Sequence, residues 1–236
     1  MRYKPRGRSS IPAHLTAVGR HLVYAEGTRT EPNYVKEIRG LLSCALHCSE
    51  RDNPLVFVEK KKGMHTKELL AFAENDVDRR VKEGETVSCV WIFLDKDAFA
   101  DFEETLSAIT RKNTKRPSGN PNAWSTDKDG IHWVSCGSNE CFEVWLLLYF
   151  AELSGPLPRE EYIPRINAYL NKSGERYGKN TERIHDLLTR GGGDVHRAIA
   201  RAERLNAGIG RGYRNPSTGV DEFARYFFAY IDQAGK

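Results

Sequence analysis

VSCVWIFLDKD, residues 87–97, decides the fold. From Cys89 to Leu94 every position is apolar, so a strand built from it has no solvated face. Such strands lie in the middle of a parallel sheet, covered by helices on both sides. The run ends abruptly on Asp95 and Asp97, so charge arrives where the strand should stop.

The same alternation extends in both directions. Upstream, PLVFVEK (54–60) reads as a second strand. Between the two, residues 65–83 carry Leu69, Leu70, Phe72, Ala73 and Val77 on one side of a helix. Further back, HLVYAEG (21–27) is a strand with its turn, and Tyr34, Val35, Ile38, Leu41, Leu42 and Ala45 follow at helical spacing. Downstream, Phe99, Phe102, Leu106 and Ile109 mark a third helix, IHWVSC (131–136) a fourth strand, and CFEVWLLLYFAEL (141–153) an almost wholly apolar helix. Strands alternating with crossover helices predict an α/β unit with a mostly parallel four-stranded sheet and right-handed connections. A Pro-, Gly- and Asn-rich loop spans 112–130. After SGPLPRE the pattern is helical only, over 160–171, 180–190, 194–207 and 219–232, with Asp194 the N-cap after RGGG. The organisation expected is a flexible basic arm (1–18), an α/β domain (19–155) and a helical C-terminal region (156–236).

Of the 236 residues, 39% are hydrophobic and 29% charged, which is globular composition and enough chain for a real core. No apolar run reaches the ~18 residues of a membrane span. The basic opening MRYKPRGRSS leads into no apolar segment, so no secretory signal is read. Five cysteines, an odd number without a CxxC pair, read as free packed thiols in a reducing, cytoplasmic setting. Cys44, His47 and Cys48 have ligand-like spacing but no fourth ligand, which favours packing. The net charge of +4 is compatible with a polyanionic partner.

In an open parallel sheet, ligands bind beyond the carboxyl ends of the strands. Glu26 ends the first strand, and Asp95 and Asp97 end the third. If those strands are neighbours, three carboxylates converge, repel, and call for a cation. A hard divalent ion such as Mg²⁺, with Mn²⁺ able to substitute, suits oxygen ligands completed by water and phosphate. Two roles are open to Glu31: a first-turn acid favoured by the helix dipole, or a further ligand.

Four stretches resemble the RloB family of Toprim-related proteins. They are EGTRTEPNY after the first strand, FLDKD after the third, SNECFEVWLLLYF after the fourth, and YGKNTERIHDLL with AIARAERL in the tail. The resemblance implies a Toprim/Rossmann-like sheet, with Glu26 matching the glutamate after the first strand and Asp95 and Asp97 the paired aspartates, all serving Mg²⁺ and phosphodiester chemistry. Glu31 resembles the second acid of Toprim nucleases, at a longer spacing. Glu140 stands where the pattern usually has proline.

Glu143 is the polar residue in the first turn of the apolar helix, either a dipole-favoured acid or a metal or water ligand. Lys179, a lone lysine in YGKN, is a candidate for stabilising charge on a phosphorane. Arg197, Arg201 and Arg204 form one helix face, followed by Arg211 and Arg214 in a Gly-rich loop; such a face either tracks phosphates or is only solvated. Together these imply a Mg²⁺-dependent nuclease of DNA or RNA. The resemblance adds a bacterial antiviral role beside an ATPase partner, with a homo-oligomer left open. The rival reading is a non-catalytic sensor or nucleic-acid-binding subunit within an ATPase-containing complex. A nucleotide-binding regulator is disfavoured, because the first turn lacks a Gly-rich phosphate loop.

Overall fold

Alternate residues of the central strand face two different cores. The computed structural model describes residues 19–60, 62–96, 100–115, 124–207 and 214–234. In it, β3 (Val87–Asp95) turns Cys89, Trp91 and Phe93 to one side and Val90, Ile92 and Leu94 to the other. All six are buried, as the apolar run predicts.

Around β3 stand β1 (Arg20–Ala25), β2 (Leu55–Phe57), β4 (His132–Asn139) and β5 (Ser217–Thr218), in the order β2-β1-β3-β4-β5. The first four are parallel and β5 is antiparallel to β4. The helices are α1 (Thr30–Leu46), α2 (Thr66–Lys82), α3 (Phe102–Lys112), α4 (Glu143–Leu148), α5 (Arg159–Leu170), α6 (Ile184–Arg190), α7 (Val195–Asn206) and α8 (Val220–Ala234). Helices α2 and α3 cover one face through Leu69, Ala73, Phe102, Leu106 and Ile109. Helix α1 and the helices after β4 cover the other.

Three expectations are corrected. The sheet has five strands, not four, and the C-terminal region is not all helical, because Ser217–Thr218 returns to the sheet beside Ser138 and Asn139. Two residues after a proline cannot show an alternating pattern. They are held instead by the Asn206 side chain, whose amide nitrogen donates to the Thr218 carbonyl (2.7 Å) while its oxygen accepts from the Thr218 N–H (3.3 Å). The apolar helix expected over 141–153 is also shorter. The Arg201 guanidinium donates to the Leu148 and Tyr149 carbonyls (2.7 and 2.9 Å), and the Asp194 N–H donates to Tyr149 as well, so the helix ends there.

Helix α8 lies directly on the sheet. Phe223 packs edge-on against Trp91 and Phe93, with centroids 5.5 and 5.1 Å away. His21 of β1 joins the same stack, its Nδ1 accepting from the Trp91 indole N–H (3.3 Å) and its Nε2 paired with the Tyr226 hydroxyl (3.2 Å). The expected N-cap is present: Asp194 Oδ1 accepts from the N–H of His196 and of Arg197. No described helix is long and apolar enough to cross a membrane.

Candidate functional site: a carboxylate cluster at the switch point

The chain runs outward from β1 to β2, then returns past β1 to β3, so the order of connection reverses between β1 and β3. Ligands of open α/β sheets sit at such switch points, beyond the carboxyl ends. Glu26 and Asp95 are there. The Glu26 N–H donates to the Phe93 carbonyl (3.0 Å), which continues the β1–β3 ladder, and the Asp95 N–H donates to Glu26 Oε2 (3.3 Å). Asp97 lies outside the described residues.

Glu31 and Glu143 reach the same place from two helix starts. Both are buried, at 6% and 4% exposure. Glu31 folds back over the 26–30 turn so closely that a Cβ on Gly27 would stand 2.2 Å from its Oε2. Only glycine leaves room for that approach. Glu143 accepts a hydrogen bond from the buried Tyr177 hydroxyl (3.1 Å) and another from the Cys141 thiol. Glu26, Glu31, Asp95 and Glu143 line one cavity of about 470 Å³, together with Arg159 and Lys179.

The electrostatics follow from that crowding. Burial lifts the Glu26 carboxyl to about 7, with Glu31 adding repulsion against a lowering bond from the Asp95 N–H. Burial, then the charges of Glu31 and Glu143, hold Asp95 well above the usual carboxylate range. Glu31 is raised by burial and by Glu143. Three cations stand around this anionic centre. Arg159 Nη2 is 3.7 Å from Asp95 Oδ2. The Lys60 amine donates to the Glu26 carbonyl oxygen and is attracted by Glu31 and Glu26. Lys179 is exposed, on a loop fixed to α1 by Arg29 bonding to Asn180 and by Asn33 Nδ2 donating to the Thr181 carbonyl (2.9 Å).

Whether a metal fits depends on chemistry and on placement. Hard carboxylate oxygens with raised proton affinity are a donor set that a divalent cation relieves. As the side chains stand, no three His, Cys, Asp or Glu groups among the described residues are disposed to hold one ion. The described set is therefore no closed cage. It suits an ion held by few carboxylates and completed by water and phosphate oxygens, as Mg²⁺ commonly is.

The chain matches the family model described as RloB-like protein over residues 21–225. That is most of its length. The chain belongs to the RloB-like family. Neither a curated protein nor a solved structure gives a match.

The arginines of the RloB-like tail are divided in their use. Arg201 caps α4, as described above, and Arg204 pairs with Glu152 at 2.5 Å. Arg197 is exposed and lies 3.8 Å from Asp194 Oδ2. Arg214 borders a small cavity with Arg201 and Arg204, and Arg211 lies outside the described residues. Glu140, the departure from the family pattern, accepts from the Asn215 amide (3.0 Å) and ties the end of β4 to the segment before β5. Lys60, Arg159 and Tyr177 went unmarked in the sequence. For Lys60 the signal was its place just past β2, at the same sheet edge as Glu26. Tyr177 stands two residues before Lys179, within a motif already in view.

Proposed function

We propose that this RloB-like protein is a Mg²⁺-dependent nuclease of the Toprim type, with Glu26, Asp95 and Asp97 at its centre. The observation that carries the reading is the pairing of Glu26 with the Asp95 backbone at the switch point, beside the buried Glu31 and Glu143 and beneath a rim of cations. An anionic centre attracts a metal, and a cationic rim attracts the phosphates that the metal acts on.

When bound, Mg²⁺ supplies Lewis-acid polarisation of a phosphoryl oxygen and acidifies water. The chain's own residues then divide the remaining work. Glu26, whose proton affinity lies near neutrality, accepts the proton of the attacking water as its oxygen bonds to phosphorus; the ester P–O bond breaks, and the leaving sugar oxygen takes a proton from solvent. Asp95 and Asp97 would hold the ion. Glu31 and Glu143 orient water or complete a second ion position, and Tyr177 fixes the Glu143 rotamer. Lys179, Lys60 and Arg159 face the charge that grows on the phosphorus oxygens. Arg197 and Arg204 extend the contact along the nucleic-acid backbone. An antiviral role beside an ATPase partner is part of the same proposal and rests on the RloB resemblance.

One observation favours the alternative of a non-catalytic subunit. Arg159 and Lys60 already neutralise part of the acidic charge, and the described acids form no three-ligand group. The discriminating experiment pairs thermal melts with and without Mg²⁺ for the wild type and Glu26→Gln, alongside cleavage and phage-protection assays. The nuclease reading expects Mg²⁺ to stabilise the wild type more than the variant, and the variant to fold and lose activity. Equal Mg²⁺ shifts with full activity in Glu26→Gln would remove Glu26 from the site and end that reading.

A further inference from the structure

A second cavity, of about 890 Å³, opens beside the outer edge of β4, toward the N-terminal ends of β3 and β4. It is therefore at the other end of the sheet from Asp95. Strand β5 pairs with β4 only at Ser138 and Asn139. The edge from His132 to Ser135 borders the cavity instead, between the end of α3 and the last turns of α8.

Three of the chain's four tryptophans, Trp91, Trp124 and Trp133, line it, with Tyr226 and Tyr230. Trp124 is 42% exposed, the largest exposed apolar side chain among the described residues. It stacks on His132 with centroids 4.5 Å apart and planes 24° off parallel, and it lies 5.0 Å from Tyr226. Trp91 and Trp133 are buried in the wall, so the aromatic surface the cavity offers to a ligand is that of Trp124, flanked by the half-buried Tyr226 and Tyr230.

Charge narrows the occupant. Glu222 and Arg225 give the lining one charge of each sign. Arg225 is already paired with Glu203 (2.5 Å) and with Asp221 (3.4 Å). Burial holds His132 below its ordinary value, so the ring is neutral near pH 7. Among the described residues the wall therefore offers neither a cluster of cations for a phosphate nor a net negative charge for an ammonium group. Asn113 is committed at both ends to the Trp133 backbone (2.7 and 2.9 Å). Ser135, Tyr230 and Gln233 are polar residues of the lining, Tyr230 being hydrogen-bonded to Tyr226. The volume suits one small molecule.

We propose that this cavity binds a nucleobase, presented by a free nucleoside or by an unstacked position of a single strand. The flat ring rests against the Trp124 aromatic group, its hydrogen-bonding edge meets Ser135 and Gln233, and the sugar and phosphate stay in solvent. Base–aromatic stacking of this kind tolerates any base. The inference does not rest on the nuclease reading, since it uses none of the same residues.

The test is isothermal titration calorimetry on the full chain with adenosine, uridine, a short single-stranded oligonucleotide and tetramethylammonium as separate probes. Saturable binding of the nucleosides and the oligonucleotide supports a base from either source. Binding of the oligonucleotide alone supports a base presented by a strand. In both cases Trp124→Ala and the surface change Gln233→Ala should weaken binding by tenfold or more, with circular dichroism and melting temperature showing that each variant folds. Binding of tetramethylammonium without the others overturns the proposal. So does the absence of binding by nucleoside and oligonucleotide, or equal affinity in wild type and Gln233→Ala with Trp124→Ala folded and also unchanged.

Discussion

His21 should make this protein acid-sensitive in a window that its carboxylates do not explain. The ring is fully buried. Because the Trp91 indole can only donate, His21 Nδ1 must carry the lone pair, and the proton sits on Nε2 facing Tyr226. Protonating Nδ1 would set two donors against each other. Burial, then repulsion from His132, accordingly lowers the group to about 3, against 6.5 in an exposed histidine. A depressed value means that the unfolded chain binds the proton first. The stability His21 contributes is fully present above about pH 6.5 and is lost as pH falls toward 3. Linkage puts the loss at about 2 kcal/mol near pH 5 and about 3 kcal/mol near pH 4. Urea unfolding of the wild type and His21→Gln at a series of pH values measures it. The variant should be weaker at neutral pH, by about 1–3 kcal/mol for the unmet Trp91 donor. Its deficit should shrink by the linkage amount on acidification. Parallel stability–pH curves for the two proteins would refute the assigned tautomer and the neutral ring.

Four further outcomes are expected. Gly27→Ala should leave stability nearly unchanged, because the clash is with the flexible end of Glu31, yet displace that carboxylate; if Glu31 serves the reaction, cleavage should fall by about 100-fold. Gly219→Ala places a Cβ 2.5 Å from the Ser135 carbonyl oxygen, so it should cost about 1–3 kcal/mol in a denaturant titration and loosen β5. Arg201→Ala should cost about 1.5–3 kcal/mol, because it uncaps the Leu148 carbonyl and removes a charged donor from Tyr149, which keeps only the Asp194 N–H. Arg197→Ala should be neutral in stability and, if it touches phosphate, should flatten the log–log salt dependence of duplex binding by about 0.9.

The parallel sheet was legible because its evidence is local and repeated: an all-apolar strand, and helices at crossover distance on either side. Glu26 and Asp95 were legible by position, since strand ends can be read from a hydrophobic run. Their adjacency was not, because strand order is a long-range property that no single stretch encodes. Strand β5 escaped for a different reason, as two residues carry no period and their pairing is set by Asn206 from another element. Glu143 stood out as the carboxylate in the first turn of an apolar helix, but its partner Tyr177 is 34 residues away and only folding joins them. Arg201 had the periodicity of a surface stripe, and nothing in that spacing reveals that its guanidinium ends a neighbouring helix.

The docking of α8 on β1 and β3 has a consequence for biosynthesis. His21 and Tyr226 are 205 residues apart in sequence, so the first strand emerges from the ribosome long before the helix that covers it. Until residues 220–234 arrive, Trp91, Phe93 and Val23 share a face without its final cover. A nascent or interrupted chain thus exposes an aromatic sheet surface that chaperones and proteases recognise and on which other chains can aggregate. Contacts of such long sequence separation also slow folding. The last helix works as a completion seal: a chain that stops short of it displays its own defect.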